Sequence, residues 1–197
     1  MINEQKFFIV AIGFSSGGTE DLYEFFSRIP PKPNVAFVII QHLGRHYASV
    51  RDLLLAKYTD MPVSWAKDHE FIKPNHVYML PVNKFMTVEN GYLETYDRNA
   101  DDKSNWAVNI FFHSMADHVK AMGIGIILSG AGSDGTLGAI HMYQEDGTIM
   151  VQDPETAEFK GMPKSAILKD HPVTILSPHK LADSLMELLR TQGVYAL

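Results

Sequence analysis

Apolar residues fall into short unbroken runs separated by amphipathic stretches. Phe7-Phe8-Ile9-Val10-Ala11-Ile12 stops at Gly13, Val35-Ala36-Phe37-Val38-Ile39-Ile40 stops at Gln41-His42, and Gly123-Ile124-Gly125-Ile126-Ile127-Leu128 stops at Ser129. Runs with no polar alternation are the pattern of strands buried on both faces, as in a parallel sheet. Between the first two, Leu22, Phe25, Phe26 and Ile29 recur at i, i+3, i+4 and i+7. That spacing predicts a helix with one face on the sheet, and Pro30-Pro31-Lys32-Pro33 ends it.

The remaining chain keeps this alternation. Val50, Leu53, Leu54 and Tyr58 mark a second helix, and Met61–Trp65 and His76–Leu80 read as short strands. Phe85–Val88 and Tyr92–Thr95 flank Glu89-Asn90-Gly91, and Asn-Gly is a strong hairpin signal. A polar loop from Asp97 to Asn105 is expected to be the most mobile segment. A helix follows from about Trp106 to Ala121, with Val108, Phe112, Met115, Ala116 and Val119 inward. After the Gly123 run, a helix stops near Gly147 and Thr148–Val151 reads as a strand. Met162-Pro163 suits a first helical turn, where proline loses no needed N–H. Val173–Leu176 reads as a last strand. Ser177 then caps a helix with Pro178 at its first position and Leu181, Leu185, Leu188 and Leu189 inward. Strands alternating with helices predict an α/β fold: three layers, a doubly wound, mostly parallel sheet of about seven strands, and a β-hairpin excursion. Residues 1–197 are expected to form a single domain.

Composition removes several classes of function. A net charge of −6, with no local Lys/Arg cluster, gives no footprint for nucleic acid. No apolar run approaches the roughly 18 residues a membrane span needs, and no signal peptide is visible, so a cytoplasmic location is expected. The absence of cysteine excludes disulfides, thiolate metal sites and cysteine nucleophiles. His42 and His46 stand four apart without further ligands, so no metal is expected. The Gly13–Gly18 turn is not Gly-x-Gly-x-x-Gly, and no Gly-x-x-x-x-Gly-Lys-Ser/Thr occurs, so no nucleotide cofactor is expected either. His113 and His118 read as helix-surface residues.

The chemistry gathers at strand ends. Gly13-Phe14-Ser15-Ser16-Gly17 fits Gly-x-Ser-x-Gly, in which a sharp strand-to-helix turn lifts a serine hydroxyl clear of the backbone. In a doubly wound sheet, ligands bind at the carboxyl edge. Ser15, His42 and Asp134 all follow buried runs at that edge. They supply a nucleophile, a base and an orienting carboxylate. Each has a plainer reading alone: Ser15 as a helix cap, His42 as an ordinary surface or core residue, Asp134 in Gly-Ser-Asp-Gly as a turn or cap residue. Their coincidence on one edge favours the triad. Backbone N–H groups of Ser16 and of the Gly130-Ala131-Gly132 turn, Ala131 above all, are the candidates for an oxyanion hole.

Five ordered motifs carry a resemblance: Ile12-Gly13-Phe14-Ser15-Ser16-Gly17-Gly18, Gln41-His42-Leu43, Leu128–Gly135, Gln152-Asp153 and Gly161-Met162-Pro163. From about Phe7 to Arg190 the chain resembles the catalytic domain of the chemotaxis receptor methylesterases, and is closest to the branch fused to a methyltransferase. The resemblance implies hydrolysis of glutamyl γ-methyl esters on methyl-accepting chemotaxis receptors, a related deamidation of receptor glutamines, and a triad of Ser15, His42 and Asp134. The chain departs from the family at Trp106-Ala107-Val108-Asn109, where an acidic turn is usual, and at Phe159, where tyrosine is common. The family's stand-alone enzymes carry a receiver domain, whereas only about six residues precede the first strand here. A separate regulator, or a receiver or methyltransferase domain in a longer protein, is therefore expected as a partner. Two other readings stay open: a non-catalytic regulatory or binding module that keeps the fold, and a serine hydrolase of small esters.

Overall fold

The computed structural model describes residues 7–15, 17–41, 54–99, 105–169 and 171–195. The elements in chain order are β1 (Ile9–Phe14), α1 (Gly18–Phe26), β2 (Ala36–Gln41), β3 (Val63–Trp65), β4 (Glu70–Phe71), β5 (His76–Met79), β6 (Lys84–Glu89) and β7 (Tyr92–Asp97). They continue with α2 (Ala107–His118), β8 (Gly123–Ile127), α3 (Thr136–Gln144), β9 (Thr148–Gln152), α4 (Gly161–Lys169), β10 (Thr174–Leu176) and α5 (Pro178–Thr191). Among the described residues the main sheet has seven strands in the order β10-β9-β8-β1-β2-β5-β3. Every pairing in it is parallel. The chain moves outward from β1 in one direction through β2 and in the other through β8, so the sheet's topological switch lies at β1.

All six residues of β1 are buried, because each face is covered. Ile9 and Ala11 point into a core shared with α2, α3, α4 and the antiparallel strands. Val10, Ile12 and Phe14 point the other way, into a core shared with α1 and α5. A two-sided strand leaves no position for a polar residue, which is why the run reads as continuously apolar. The expected inner faces of α1 and α2 are the observed ones, with Leu22, Phe25, Phe26, Val108, Phe112 and Met115 all buried.

Three expectations need adjusting. The hairpin of β6 and β7 is part of a three-stranded antiparallel sheet, because two residues of β4 pair with β7. Leu55 is the buried residue near the predicted second helix, while Leu54 and Tyr58 are exposed and the Tyr58 ring stacks on Tyr23 at 4.4 Å. On α5, Ala182 joins Leu181, Leu185 and Leu189 in the core, and Leu188 is only partly buried against it. Residues 50–53 of the second helix, and 100–104 of the polar loop before α2, lie outside the described residues.

Candidate active site

Ser15 leaves the carboxyl end of β1 at the switch. Its N–H donates to the Ser129 carbonyl at 3.0 Å, which ties it to the end of the neighbouring β8. Gly17, at φ 77°, turns the chain into α1 and stands as its N-cap without any side-chain cap. That left-handed conformation is open to glycine at little cost. The turn is also crowded. A Cβ on Gly17 would lie 2.8 Å from Glu158 Cβ and 2.9 Å from the Phe159 ring, and one on Gly130 would lie 3.0 Å from Ser15 Cβ. Thus a strand, a bare helix N-terminus and the 158–159 loop close around Ser15. α1 opens directly behind this turn, and its first N–H, that of Gly18, donates back to the Ser15 carbonyl at 3.4 Å, as in a sharp strand-to-helix elbow.

Asp134 is 2% exposed and hydrogen-bonded along its carboxylate. Its Oδ1 accepts the N–H groups of Asn109 and Gly135, each at 2.9 Å, and its Oδ2 accepts that of Val108 at 3.1 Å. The plain reading of Asp134 as a local cap therefore changes. The N-cap of its own helix, α3, is Gly135 without a side-chain cap, whereas Asp134 reaches across to satisfy the first turn of α2. Asn105 Oδ1 takes the Ala107 N–H at 3.1 Å, so three successive orphan donors of α2 have partners. The Val108 side chain then wedges between the two motifs. A Cβ on Gly13 would collide with it, and a Cβ on Gly135 would lie 2.8 Å from its Cγ1. Glycines before Ser15 and after Asp134 thus let one valine bring the two turns onto a common support.

β2 lies beside β1 with Gln41, its last residue, opposite Phe14, the residue before Ser15. His42 itself, and Ser16, lie outside the described residues. Ala131 is exposed on the turn after β8. Of the predicted oxyanion turn, the Gly130 N–H is already committed to the Phe159 carbonyl at 3.0 Å. That removes Gly130 as an oxyanion donor.

Sequence reasoning missed Asn109. Its side-chain Oδ1 accepts the Gly138 N–H at 3.0 Å, so this buried residue stitches α2 to α3 on the far side of Asp134. In the sequence the position stands out only as a departure from the acidic turn. Also missed was Asp21 on α1, one of whose carboxylate oxygens is buried without a hydrogen-bond partner among the described residues. Burial pushes that carboxyl up to about 6, a nearby Gln152 side chain opposes the rise, and Glu24, Glu158 and Glu20 add to it. His113 is not a simple surface residue. Its Nδ1 is 2.9 Å from that of His141, and burial followed by the charge of His141 lowers its pKa.

A serine–histidine contact lies elsewhere in the sheet. Ser64 Oγ is 2.8 Å from His76 Nε2, the histidine ring stacks on Tyr78 at 4.3 Å, and burial lowers its pKa. Ser64 is the middle residue of β3, the outermost strand, and the chain runs on from it to β4 rather than into a helix. No group of three or more His, Asp or Glu side chains suited to a metal ion occurs among the described residues. No described helix is long and apolar enough to cross a membrane.

Comparison with known proteins decides the family. The family model described as CheB methylesterase matches residues 10–185. The chain belongs to the CheB methylesterase family. A Burkholderia pseudomallei protein named protein-glutamate methylesterase/protein-glutamine glutaminase 2 is 31% identical over 183 residues, covering 92% of this chain and 54% of its own length. A Thermotoga maritima protein-glutamate methylesterase/protein-glutamine glutaminase is 30% identical over 185 residues, with the same coverage of 92% and 54%. The chain thus spans about half the length of these relatives. The crystal structure of the Thermotoga maritima CheB methylesterase catalytic domain superposes with a TM-score of 0.84 at 29% identity, covering 93% of this chain and all of that one. The three-layer, mostly parallel α/β fold expected for this chain is the fold of that CheB domain.

Proposed function

We propose that this chain is a catalytic domain that hydrolyses glutamyl γ-methyl esters on methyl-accepting chemotaxis receptors, with Ser15 as nucleophile, His42 as base and Asp134 as its orienting carboxylate. The observation that carries this reading is the support shared by Ser15 and Asp134 through Val108, at the switch of a CheB-family sheet. Ser15 Oγ attacks the ester carbonyl as His42 accepts its proton. The tetrahedral intermediate collapses, the bond to methoxide breaks, and His42 returns the proton so that methanol leaves. Water, deprotonated by His42, then attacks the acyl-serine and releases the glutamate carboxylate. Asp134 fixes the imidazole tautomer and steadies the cation formed in each half-reaction.

The capping of α2 serves this role: the N–H groups of Val108 and Asn109, joined by that of Gly135, hold the carboxylate in one orientation, so the imidazole meets it without a reorganisation cost. The N–H groups of Ser16 and Ala131 receive the developing oxyanion, and losing one such donor costs about 10²–10³ in rate. A glutamine side-chain amide passes through the same acyl-serine with ammonia leaving in place of methanol, which extends the reading to deamidation. The chemistry needs no metal or cofactor. The setting is the cytoplasmic face of chemotaxis signalling, with a receiver or methyltransferase domain, on the same longer protein or a separate one, as regulator.

The test is methanol release from a methylated receptor peptide, set beside turnover of a small aryl ester. Turnover of the peptide that is lost in Ser15→Ala supports the proposal. Turnover of the aryl ester alone would make the chain a small-ester hydrolase. Inactivity on both would leave a binding module.

A further inference from the structure

We propose that Gln152 is a positioning residue for the Ser15 turn, an inference that rests on reading Ser15 as the nucleophile. β8 and β9 pair in register up to Ile127 and Val151, and there the backbone ladder between them stops. Gln152 is the last residue of β9, and its side chain is fully buried. The side-chain Oε1 accepts the Ser129 N–H at 2.8 Å, extending the ladder one step past the point where the strands part. The opposite edge of Ser129 faces β1, where its carbonyl accepts the Ser15 N–H at 3.0 Å. A single side chain thus fixes the residue on which the nucleophile's own amide rests.

The orientation of that amide is settled by chemistry. An N–H needs an oxygen, so Oε1 faces Ser129 and the NH₂ end faces Thr156, to whose Oγ1 it donates at 3.3 Å. Thr156 Oγ1 in turn donates to the Asp153 carbonyl at 2.8 Å, which anchors the chain of bonds to the backbone after β9. Ser129 is also the junction for the loop that crowds Gly17. Its Oγ accepts the Phe159 N–H at 3.0 Å, while the Phe159 carbonyl takes the Gly130 N–H at 3.0 Å. Displacing Ser129 would therefore move the Ser15 amide and the wall beside it together, while the strands below stay paired.

Two substitutions grade the effect. Gln152→Met keeps the length and removes the acceptor, whereas Gln152→Glu keeps an acceptor oxygen for Ser129 while placing a second carboxyl beside Asp21. Amide hydrogen exchange read residue by residue should show the Ser15 and Ser129 N–H groups losing about tenfold or more protection in Gln152→Met and less in Gln152→Glu, with Ile12 and Ile126 unchanged. On a methylated receptor peptide, kcat should fall about 10- to 100-fold in Gln152→Met with KM within about twofold, and Gln152→Glu should recover part of the loss. Wild-type exchange at Ser15 in both variants overturns the inference, as does a loss that falls on KM alone. Should wild-type protein release no methanol, the reading of Ser15 as nucleophile falls. The exchange comparison still decides whether Gln152 holds the turn.

Discussion

Two serines in this protein differ in how the backbone sets them, and the short contact with a described histidine belongs to Ser64 rather than to Ser15, the proposed nucleophile. Ser64 has the closer likeness to a catalytic pair at first sight, with a hydroxyl 2.8 Å from an imidazole nitrogen. Yet it sits mid-strand at the sheet's outer edge, with no helix opening behind it and a histidine packed flat on Tyr78. Ser15 sits at the switch point, on a turn that needs a left-handed glycine, against the uncapped N-terminus of α1. Catalysis depends on donors placed where charge will develop, and a helix N-terminus gathers N–H groups at one point where a strand spaces them along its length. A short serine–histidine contact is therefore poor grounds for a mechanism, and backbone placement is better.

The sharpest way to break this contrast is to exchange the fates of the two serines. Ser15→Ala should lower methyl-ester hydrolysis by at least about 10⁴-fold. Ser64→Ala should leave the rate within about twofold and cost about 1 kcal/mol of stability for the lost hydrogen bond. Rates from a methanol-release assay and urea midpoints for both variants check this. The carboxylate comes next: Asp134→Asn should cost roughly 10⁴ in kcat if it orients the imidazole. The same measurement on Asn109→Ala should show a smaller loss of activity. Its main cost is in stability, about 1–3 kcal/mol, because a buried Gly138 N–H loses its acceptor. Equal activity losses for the two would place Asp134 among the structural caps.

Most of the fold could be read from the pattern because the core strands are buried on both faces, and a continuous apolar run as short as Ile9–Phe14, bounded by turn residues, suits a strand far better than a helix. The exceptions share a cause. β4 is two residues, Glu70 and Phe71, paired with β7, and no local period can announce a strand of that length. Near the second helix, Leu54 and Leu55 are equally apolar, and the packing of the sheet rather than composition decides which is buried. The site shows the same division. Ser15 and Asp134 stand on motifs whose glycines mark sharp turns, so their placement at one edge was legible. That Asp134 caps α2 was not, because its partners Val108 and Asn109 lie 26 and 25 residues away in sequence. Asn109 likewise acts through a fold-level contact with Gly138.

The smallest of the expected effects separates the site from its surroundings by pH. Asp21 is pushed from its ordinary 3.8 up to about 6 by burial, with Glu24, Glu158 and Glu20 adding to the rise. Its native state therefore binds a proton more readily than the unfolded chain, and the protein loses stability as pH rises from about 4 to about 6. Asp21→Asn should be more stable than wild type above pH 6, by about 1 kcal/mol once partial solvent exposure is allowed for. The difference should vanish below pH 4, as followed by thermal unfolding across that range. A constant difference at every pH would assign the effect to packing rather than charge.

The central claim is that Ser15, and not another hydroxyl, is the group that becomes acylated. Mass spectrometry of the protein after reaction with a serine-directed phosphonate tests it most directly. One adduct on the peptide that carries Ser15, absent from Ser15→Ala and unaffected in Ser64→Ala, is the predicted result. An adduct on the peptide carrying Ser64, or labelling that persists in Ser15→Ala, would contradict it.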